Sequence, residues 1–414
     1  MLLIDGRLYE NADSQWAIDT VSERIIETLT GEPLDIHRVL SASGRLAGDI
    51  LSGGLNGVLE GFLDDDIMSS YDLVSIASSF KTQELQKRLH LELGHLRKRI
   101  SKDHNLDIAP LGTLLHIAAG NMDILPAFSV LEGLLSGNIN ILKLPSMDRG
   151  LSIYLLKKMI EYEPCLRNYI YVFDTPSQDF ATIQSLMDLV NAIVTWGNDD
   201  TIKAIRVSAP INTKIIEFGH KLSFVYLAQS EVPNDRLTAL ARHIFATKQL
   251  LCSSCQVIFL NTHDFEDVKR FGRHFSRIMK EVEHDYSSPM PVQGKVSIEL
   301  LTRTYERIHS DDVIFRNDKS SVICVNNHEL EGSPQLGNVF IKPLPIEKVT
   351  KALYKHRSHL QTVGVYPRQR DIENIFIRAG LTNIRDIDDM SSFKLLGSHD
   401  GKFPLLEYSR IVEF

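Results

Sequence analysis

The stretch from Pro110 to Ser208 constrains the chain most, because short apolar runs alternate there with segments of helical periodicity. The runs Leu111–Ala118, Asn140–Leu144, Tyr169–Phe173 and Asn191–Trp196 have strand length and are predominantly apolar, as strands buried on both faces are. Ile124–Leu135, Asp148–Ile160, Gln178–Leu189 and Asp199–Arg206 read as helices. Strand and crossover helix in repetition give parallel βαβ units. The fold class is therefore α/β with a doubly wound parallel sheet, which takes ligands at the carboxyl ends of its strands.

Upstream the chain is helical after a short extended start. Asp19–Gly31 has apolar residues at helical spacing between a capping candidate and a terminal glycine. Leu85, Leu89, Leu93 and Leu96 form a stripe within Tyr71–Ser101, which reads as plain core packing. Downstream, Lys214–Leu227 is extended, Arg236–Gln249 helical, Val257–Leu260 a strand and Phe265–Glu283 a helix. Tyr286–Gly294 is a loop, and Val322–Val325 and Asn338–Ile341 are strands. A chain of 414 residues is too long for one small core and divides into domains.

Composition narrows the function classes. The 43% hydrophobic and 24% charged content is that of an ordinary globular chain. A net charge of -8 without a long basic run argues against a nucleic-acid partner. The most apolar region, Leu111–Leu144, is interrupted by His116, Asn121, Asp123, Glu132 and Asn138, so no membrane span is expected. Four cysteines make no disulfide framework, and the N-terminus lacks the basic-then-apolar order of a signal peptide; a cytoplasmic protein is expected.

Cys252 and Cys255 stand among small hydroxyl residues in Lys248–Gln256, just before the apolar run Val257–Leu260. A thiolate there is a nucleophile that forms reducible thioesters; two small core hydrophobes are the other reading. Gly120-Asn121 and Gly137-Asn138 offer neutral amides, suited either to an oxyanion or to a turn or cap. Lys143 ends a strand, where an ammonium reaches a nucleotide ribose or phosphate, or simply meets solvent. Thr195-Trp196-Gly197-Asn198 ends another strand and opens a helix, whose first amides attract anions; no G-x-G-x-x-G is present.

Together with Glu217 in Ile216–Ser223, and Cys252 lying 35 residues beyond that glutamate, these phrases resemble the aldehyde dehydrogenase superfamily. The resemblance is closer to the LuxC-type acyl-CoA reductases, through His116–Asn121, Leu131–Ser146, Cys252-Ser-Ser, Leu360–Gly364 and His399-Asp-Gly401. It implies an aldehyde dehydrogenase-like fold: N-terminal helices and an NADP-binding domain over 1–223, a catalytic thiol domain over 224–390, and a tail, 391–414, returning to the cofactor domain or to an oligomer interface. It makes Cys252 the nucleophile, Asn121 the oxyanion donor and Glu217 the general base, and places Lys143 and Ser146 near the cofactor's ribose; Thr195, Trp196 and Gly197, at their strand end, complete the expected cofactor-binding set, and no metal is expected. Ser146 stands where many NAD-preferring relatives carry a glutamate, and losing that carboxylate permits NADPH.

The implied reaction is NADPH-dependent reduction of a long-chain acyl-CoA, or of another acyl-carrier thioester, to fatty aldehyde. Implied partners are an acyl-protein synthetase and further copies of the chain, as a dimer or tetramer. The alternatives are an aldehyde dehydrogenase working in the oxidising direction and an inactive assembly partner of a synthetase. Cys255 departs from the family pattern, which usually has proline there.

Overall fold

The computed structural model describes residues 1–10, 12–63, 73–94, 105–118, 124–146, 148–286, 294, 297–298, 301–302, 311–390 and 397–414. The chain forms two compact units, Met1–Gly219 with Lys394–Phe414, and His220–Phe393. The extended run Lys214–Leu227 is divided between them, because it breaks at Gly219 into two strands of different sheets.

In the first unit β1 (Leu2–Ile4), β2 (Arg7–Tyr9), β4 (Thr113–Ile117), β5 (Ile139–Lys143), β6 (Ile170–Phe173), β7 (Ala192–Trp196) and β8 (Lys214–Phe218) form one sheet in the order β2-β1-β6-β5-β4-β7-β8. β4 to β8 pair in parallel; the β1–β2 hairpin, which sequence periodicity left as a short extended start, adds antiparallel to β6. Connections leave β4 toward β5 and β6 on one side and reach β7 and β8 on the other, so the sheet's switch point lies between β4 and β7. A separate antiparallel ribbon joins β3 (Leu106–Pro110) to β16 (Ser409–Glu413), bringing the C-terminal tail into this unit.

Helices α1 (Ser14–Thr30), α2 (Ile36–Leu51), α3 (Asn56–Leu63), α4 (Leu73–Phe80) and α5 (Thr82–Leu89) supply the helical N-terminal region. α1 starts five residues before the expected cap: Asp13 accepts from Trp16 N–H, while Asp19 is exposed within the helix and accepts from Gln15. Leu85 and Leu93 are buried as the stripe predicts, although the helix widens into a π turn at His90–Gly94; Leu96 lies outside the described residues. α6 (Leu125–Leu135), α7 (Leu151–Tyr162), α8 (Phe180–Asp188) and α9 (Asp199–Ser208) are the crossover helices.

Every residue of α6 is buried, Glu132 included. Its carboxylate pairs with Arg88 at 2.6 Å, and Arg88 also holds Glu92 at 2.6 Å. The second Glu92 oxygen accepts Leu405 N–H, and Tyr408 donates its hydroxyl to Glu132. Desolvation pushes the Glu132 carboxyl up to about 7, against the pull of Arg88.

In the second unit β9 (Leu222–Leu227), β10 (Cys255–Leu260), β11 (Val313–Arg316), β12 (Ser321–Cys324), β13 (Asn338–Pro343), β14 (Leu360–Tyr366) and β15 (Asn383–Asp386) follow the order β11-β12-β13-β10-β9-β14-β15. All neighbours are parallel except β11 and β12. Among the helices here are α10 (Asn234–Ala246) and α11 (Phe265–Val282). Most of the 286–294 loop lies outside the described residues.

Candidate active site

α10 stops at Ala246, three residues short of the expected Gln249, because Lys248 and Gln249 take φ of 49° and 59°. Non-glycine residues avoid these left-handed values unless their surroundings impose them. Gln249 is imposed upon through its side chain. Its amide nitrogen donates to the carbonyls of Cys255 and Asn338 and to the Ser333 hydroxyl, while its oxygen accepts Gly337 N–H. Gln256 donates to the Gln249 carbonyl and accepts from Ser333 N–H and O–H.

Cys252 sits on the turn that this network supports. Ser254 N–H donates to Leu251 O at 2.9 Å and Leu251 N–H to Ser254 Oγ at 3.0 Å. The Cys252 carbonyl accepts from Ser223 Oγ at 2.6 Å. Peptide planes are rigid, so both planes flanking Cys252 are fixed, and its N–H is directed opposite to the held Leu251 oxygen. The residue is half-buried, compatible with a thiol reached by a substrate.

Cys255, three positions on, is chemically different. It is the first residue of β10, fully buried, with Sγ donating to Val257 O at 3.5 Å. Burial pushes its thiol far above the ordinary range, so it is a core residue without thiolate character. Its N–H donates to Nε2 of His243 on α10 at 3.2 Å, and burial lowers that imidazole to about 4.

His243 yields a pH prediction. A base whose folded pKa is depressed contributes stability that is full above its unfolded value, near 6.5, and is lost as pH falls through about 4. His243→Gln keeps an acceptor but does not titrate. The gap in unfolding free energy between wild type and this variant should shrink by about 3 kcal/mol from pH 7 to pH 4. Denaturant melts at both pH values measure it, and a constant gap would remove His243 from the linkage.

In the first unit the sequence-selected residues gather at one edge. Lys143 ends β5 and Thr195 is the penultimate residue of β7, on either side of β4, and Glu217 pairs in register with Thr195. Lys143 is buried and donates to Ser177 Oγ at 3.0 Å; burial lowers its pKa while Asp174 opposes. Ser146 is exposed three residues further along. Thr195 Oγ1 is buried without a partner. The Trp196 ring is committed to packing, stacked on Phe218 at 4.0 Å, edge-on to His399 at 4.7 Å, with its N–H on Ser129 Oγ.

The start of α9 offers less to an anion than its position implies. Asn198 already caps Thr201 N–H, and Asp199 and Asp200 place negative charge in the first turn. Both oxygens of Glu217 are held by Arg206, at 2.5 and 2.7 Å, and Lys402 donates to its backbone carbonyl. Asn121 lies outside the described residues. Asn138 takes the turn-forming role, accepting from Gly112 N–H and donating to Tyr408 O and Ser136 Oγ. Ser223, Gln249, Gln256 and His243 were not selected from sequence; the one available signal was the serine closing the Glu217–Ser223 phrase.

Among the described residues no cluster of three or more His, Cys, Asp or Glu is disposed to hold a metal ion, and no helix is long and apolar enough to cross a membrane.

Solved structures similar to the chain are aldehyde dehydrogenases. Δ1-Pyrroline-5-carboxylate dehydrogenase from Mycobacterium tuberculosis superposes with a TM-score of 0.69 at 14% identity, over 98% of this chain and 83% of that one. Aldehyde dehydrogenase 21 from Physcomitrella patens gives 0.71 at 9% identity, over 97% and 90%. The fold is that of the aldehyde dehydrogenases.

Among curated proteins, the long-chain acyl-protein thioester reductase of Vibrio harveyi is 23% identical over 310 residues, 73% of this chain and 64% of the relative. That of Photorhabdus laumondii is 26% identical over 318 residues, 72% and 62%. The chain thus matches somewhat less than two thirds of the length of these relatives. Residues 62–411 match the family described as acyl-CoA reductase (LuxC), and the chain belongs to that family.

Proposed function

We propose that this chain reduces an activated long-chain acyl group to the fatty aldehyde, with NADPH, through an acyl-enzyme on Cys252. The observation that carries this reading is the thiol of Cys252 on a turn with both flanking peptides fixed, beside a buried and inert Cys255, in a chain of the LuxC family. The relatives' names favour a protein-bound acyl thioester as donor, with acyl-CoA as the soluble equivalent; an acyl-protein synthetase, as the source of such a donor, is the proposed partner.

Cys252 Sγ attacks the acyl carbonyl carbon, and the tetrahedral oxyanion is held by the Cys252 N–H and the Asn121 amide. Collapse breaks the bond to the carrier sulfur, which leaves as the thiol. NADPH, when bound, would supply a hydride to the carbonyl carbon of the resulting thioester. The alkoxide left on that carbon collapses, the bond to Cys252 Sγ breaks, free aldehyde is released, and the Cys252 thiolate takes up a proton to restore the thiol. Lys143, Ser146 and the Thr195–Gly197 backbone would hold the cofactor. The donor set fits it: a buried ammonium, a neutral Ser146 and the unpartnered Thr195 hydroxyl lie along the strand ends beside the switch point.

Glu217 serves as a proton relay rather than an activator of water, since hydrolysis would waste the acyl-enzyme. Its engagement by Arg206 argues against activation of water, because neither oxygen is left fully available to one. Glu217→Gln should slow turnover about tenfold or more while acyl labelling of Cys252 persists; unchanged turnover removes Glu217 from the mechanism.

The ribbon of β3 and β16 supports assembly into a homo-oligomer. Two strands alone are marginal in water, and Ile411 and Phe414 are exposed on it. Light scattering on wild type and Ile411→Glu distinguishes this from a monomer.

The deciding experiment mixes the protein with acyl-CoAs of several chain lengths and NADPH or NADH, and follows cofactor oxidation and aldehyde. Faster oxidation of fatty aldehyde by NAD(P) would make the chain an aldehyde dehydrogenase working in the oxidising direction. Neither turnover nor acylation would leave it an assembly partner.

A further inference from the structure

The sheet of the second unit is irregular at one point. On β10, Cys255 stands opposite Ser223 and Val257 opposite Phe224, so β10 carries one extra residue against β9. On β14, Leu360 stands opposite Leu222 and Val363 opposite Phe224, so β14 also carries one extra residue at the same place. Bulges are uncommon in parallel pairs, and they concentrate beside active sites, where they re-aim a side chain or end a pairing. Here two of them flank a single residue, Ser223.

The side chain of Ser223 makes the connections that the ladder forgoes. It is fully buried, donates Oγ–H to the Cys252 carbonyl at 2.6 Å, and accepts Thr362 N–H at 3.1 Å. Thr362 belongs to Leu360–Gly364, one of the phrases that carry the chain's resemblance to LuxC-type reductases. Two positions along the strand, Gly364 has no room for a side chain: a Cβ would press on Met390 and Val225. β14 is thus seated closely against β9, and its Thr362 amide is presented to Ser223.

A serine uses both faculties of its hydroxyl at this point, since one O–H donates and a lone pair accepts. Alanine would leave a part-buried carbonyl and a buried amide without this partner. Cysteine would fill the space with a weak donor.

We infer that Ser223 is the positioning residue of the nucleophile, linking β14 to the Cys252 carbonyl so that the thiol and its own N–H face an incoming acyl carbonyl. The inference rests on the acyl-enzyme reading above. Its effect belongs to the acylation step, because the orientation of the Cys252 backbone matters when the tetrahedral carbon forms and not when the dinucleotide binds.

The test compares wild type with Ser223→Ala, Ser223→Cys and Ser223→Thr. Single-turnover acylation of Cys252 is measured with a radiolabelled long-chain acyl-CoA, NADPH affinity by fluorescence titration, and the folded state by thermal melting. Ser223→Ala should acylate on the order of 10- to 100-fold more slowly than wild type. Its NADPH affinity should stay within about twofold, within the range expected of a site left untouched.

Ser223→Thr, which keeps the hydroxyl, should recover most of the rate, and Ser223→Cys should fall between Thr and Ala. Should the alanine variant not fold, the Thr and Cys variants decide by the same order of rates. Acylation at the wild-type rate in the Ala or Cys variant overturns the inference, as does a parallel loss of acylation and NADPH binding. No acylation of wild type overturns the acyl-enzyme reading instead.

Discussion

Cys252→Ala should abolish aldehyde formation and acyl labelling together, lowering turnover by a factor on the order of 10⁴ or more, as removal of a covalent nucleophile does. Neither Ser254 nor Cys255 is placed to substitute. Ser254 is buried and its hydroxyl accepts Leu251 N–H, and Cys255 is held in β10 with its thiol pushed far up by burial. Cys255→Ala should therefore retain acylation while melting at a lower temperature, because it loses a packed sulfur. Quench-flow labelling with acyl-CoA separates the two variants. Aldehyde formation surviving in Cys252→Ala would sink the acyl-enzyme mechanism, and acylation lost in Cys255→Ala would reopen which thiol reacts.

The second large effect is on stability. Arg88→Ala should cost about 3–5 kcal/mol, the usual penalty for removing one partner of a buried ionic cluster. Arg88, Glu92 and Glu132 have side chains 4%, 1% and 4% exposed, so neither carboxylate left behind can turn to water. Desolvation already raises both carboxyls, Glu132 to about 7. An acid whose folded pKa is raised contributes stability that is full below its unfolded value near 4.5 and is lost as pH rises through the folded one. Without Arg88 the rise is larger, so the variant should be weakest at pH 8 and recover much of its stability at pH 5. Urea denaturation at the two pH values measures this; a penalty independent of pH would place the cost in packing instead.

Much of the fold was legible because the βαβ rhythm between Pro110 and Ser208 depends on local periodicity, and the strands and helices fall within a few residues of where that rhythm puts them. The edges were less legible. The β1–β2 hairpin is three residues to a strand, too short for alternation to register, and Asp13 caps α1 where Asp19 was expected.

The two thiols were indistinguishable by residue type, since what separates Cys252 from Cys255 is burial, which depends on where β10 begins. Glu132 carried a signal that went unread: a glutamate inside a helix with no exposed face requires a buried cation. Ser223 carried almost none. Its role follows from a register offset against two strands, one more than 130 residues away, and no window along the chain contains both.

The return of the tail to the first unit has a consequence for biosynthesis. Translation runs from the N-terminal side, and Leu405 and Tyr408 follow the second unit in the sequence. Until they emerge, Glu92 lacks the Leu405 amide and Asn138 lacks the Tyr408 carbonyl, so the first unit remains incomplete throughout synthesis of the uninterrupted His220–Phe393 unit. The nascent chain therefore holds an unfinished first unit while a later one can close, a long-range dependence that slows folding and exposes apolar helix faces in the interval.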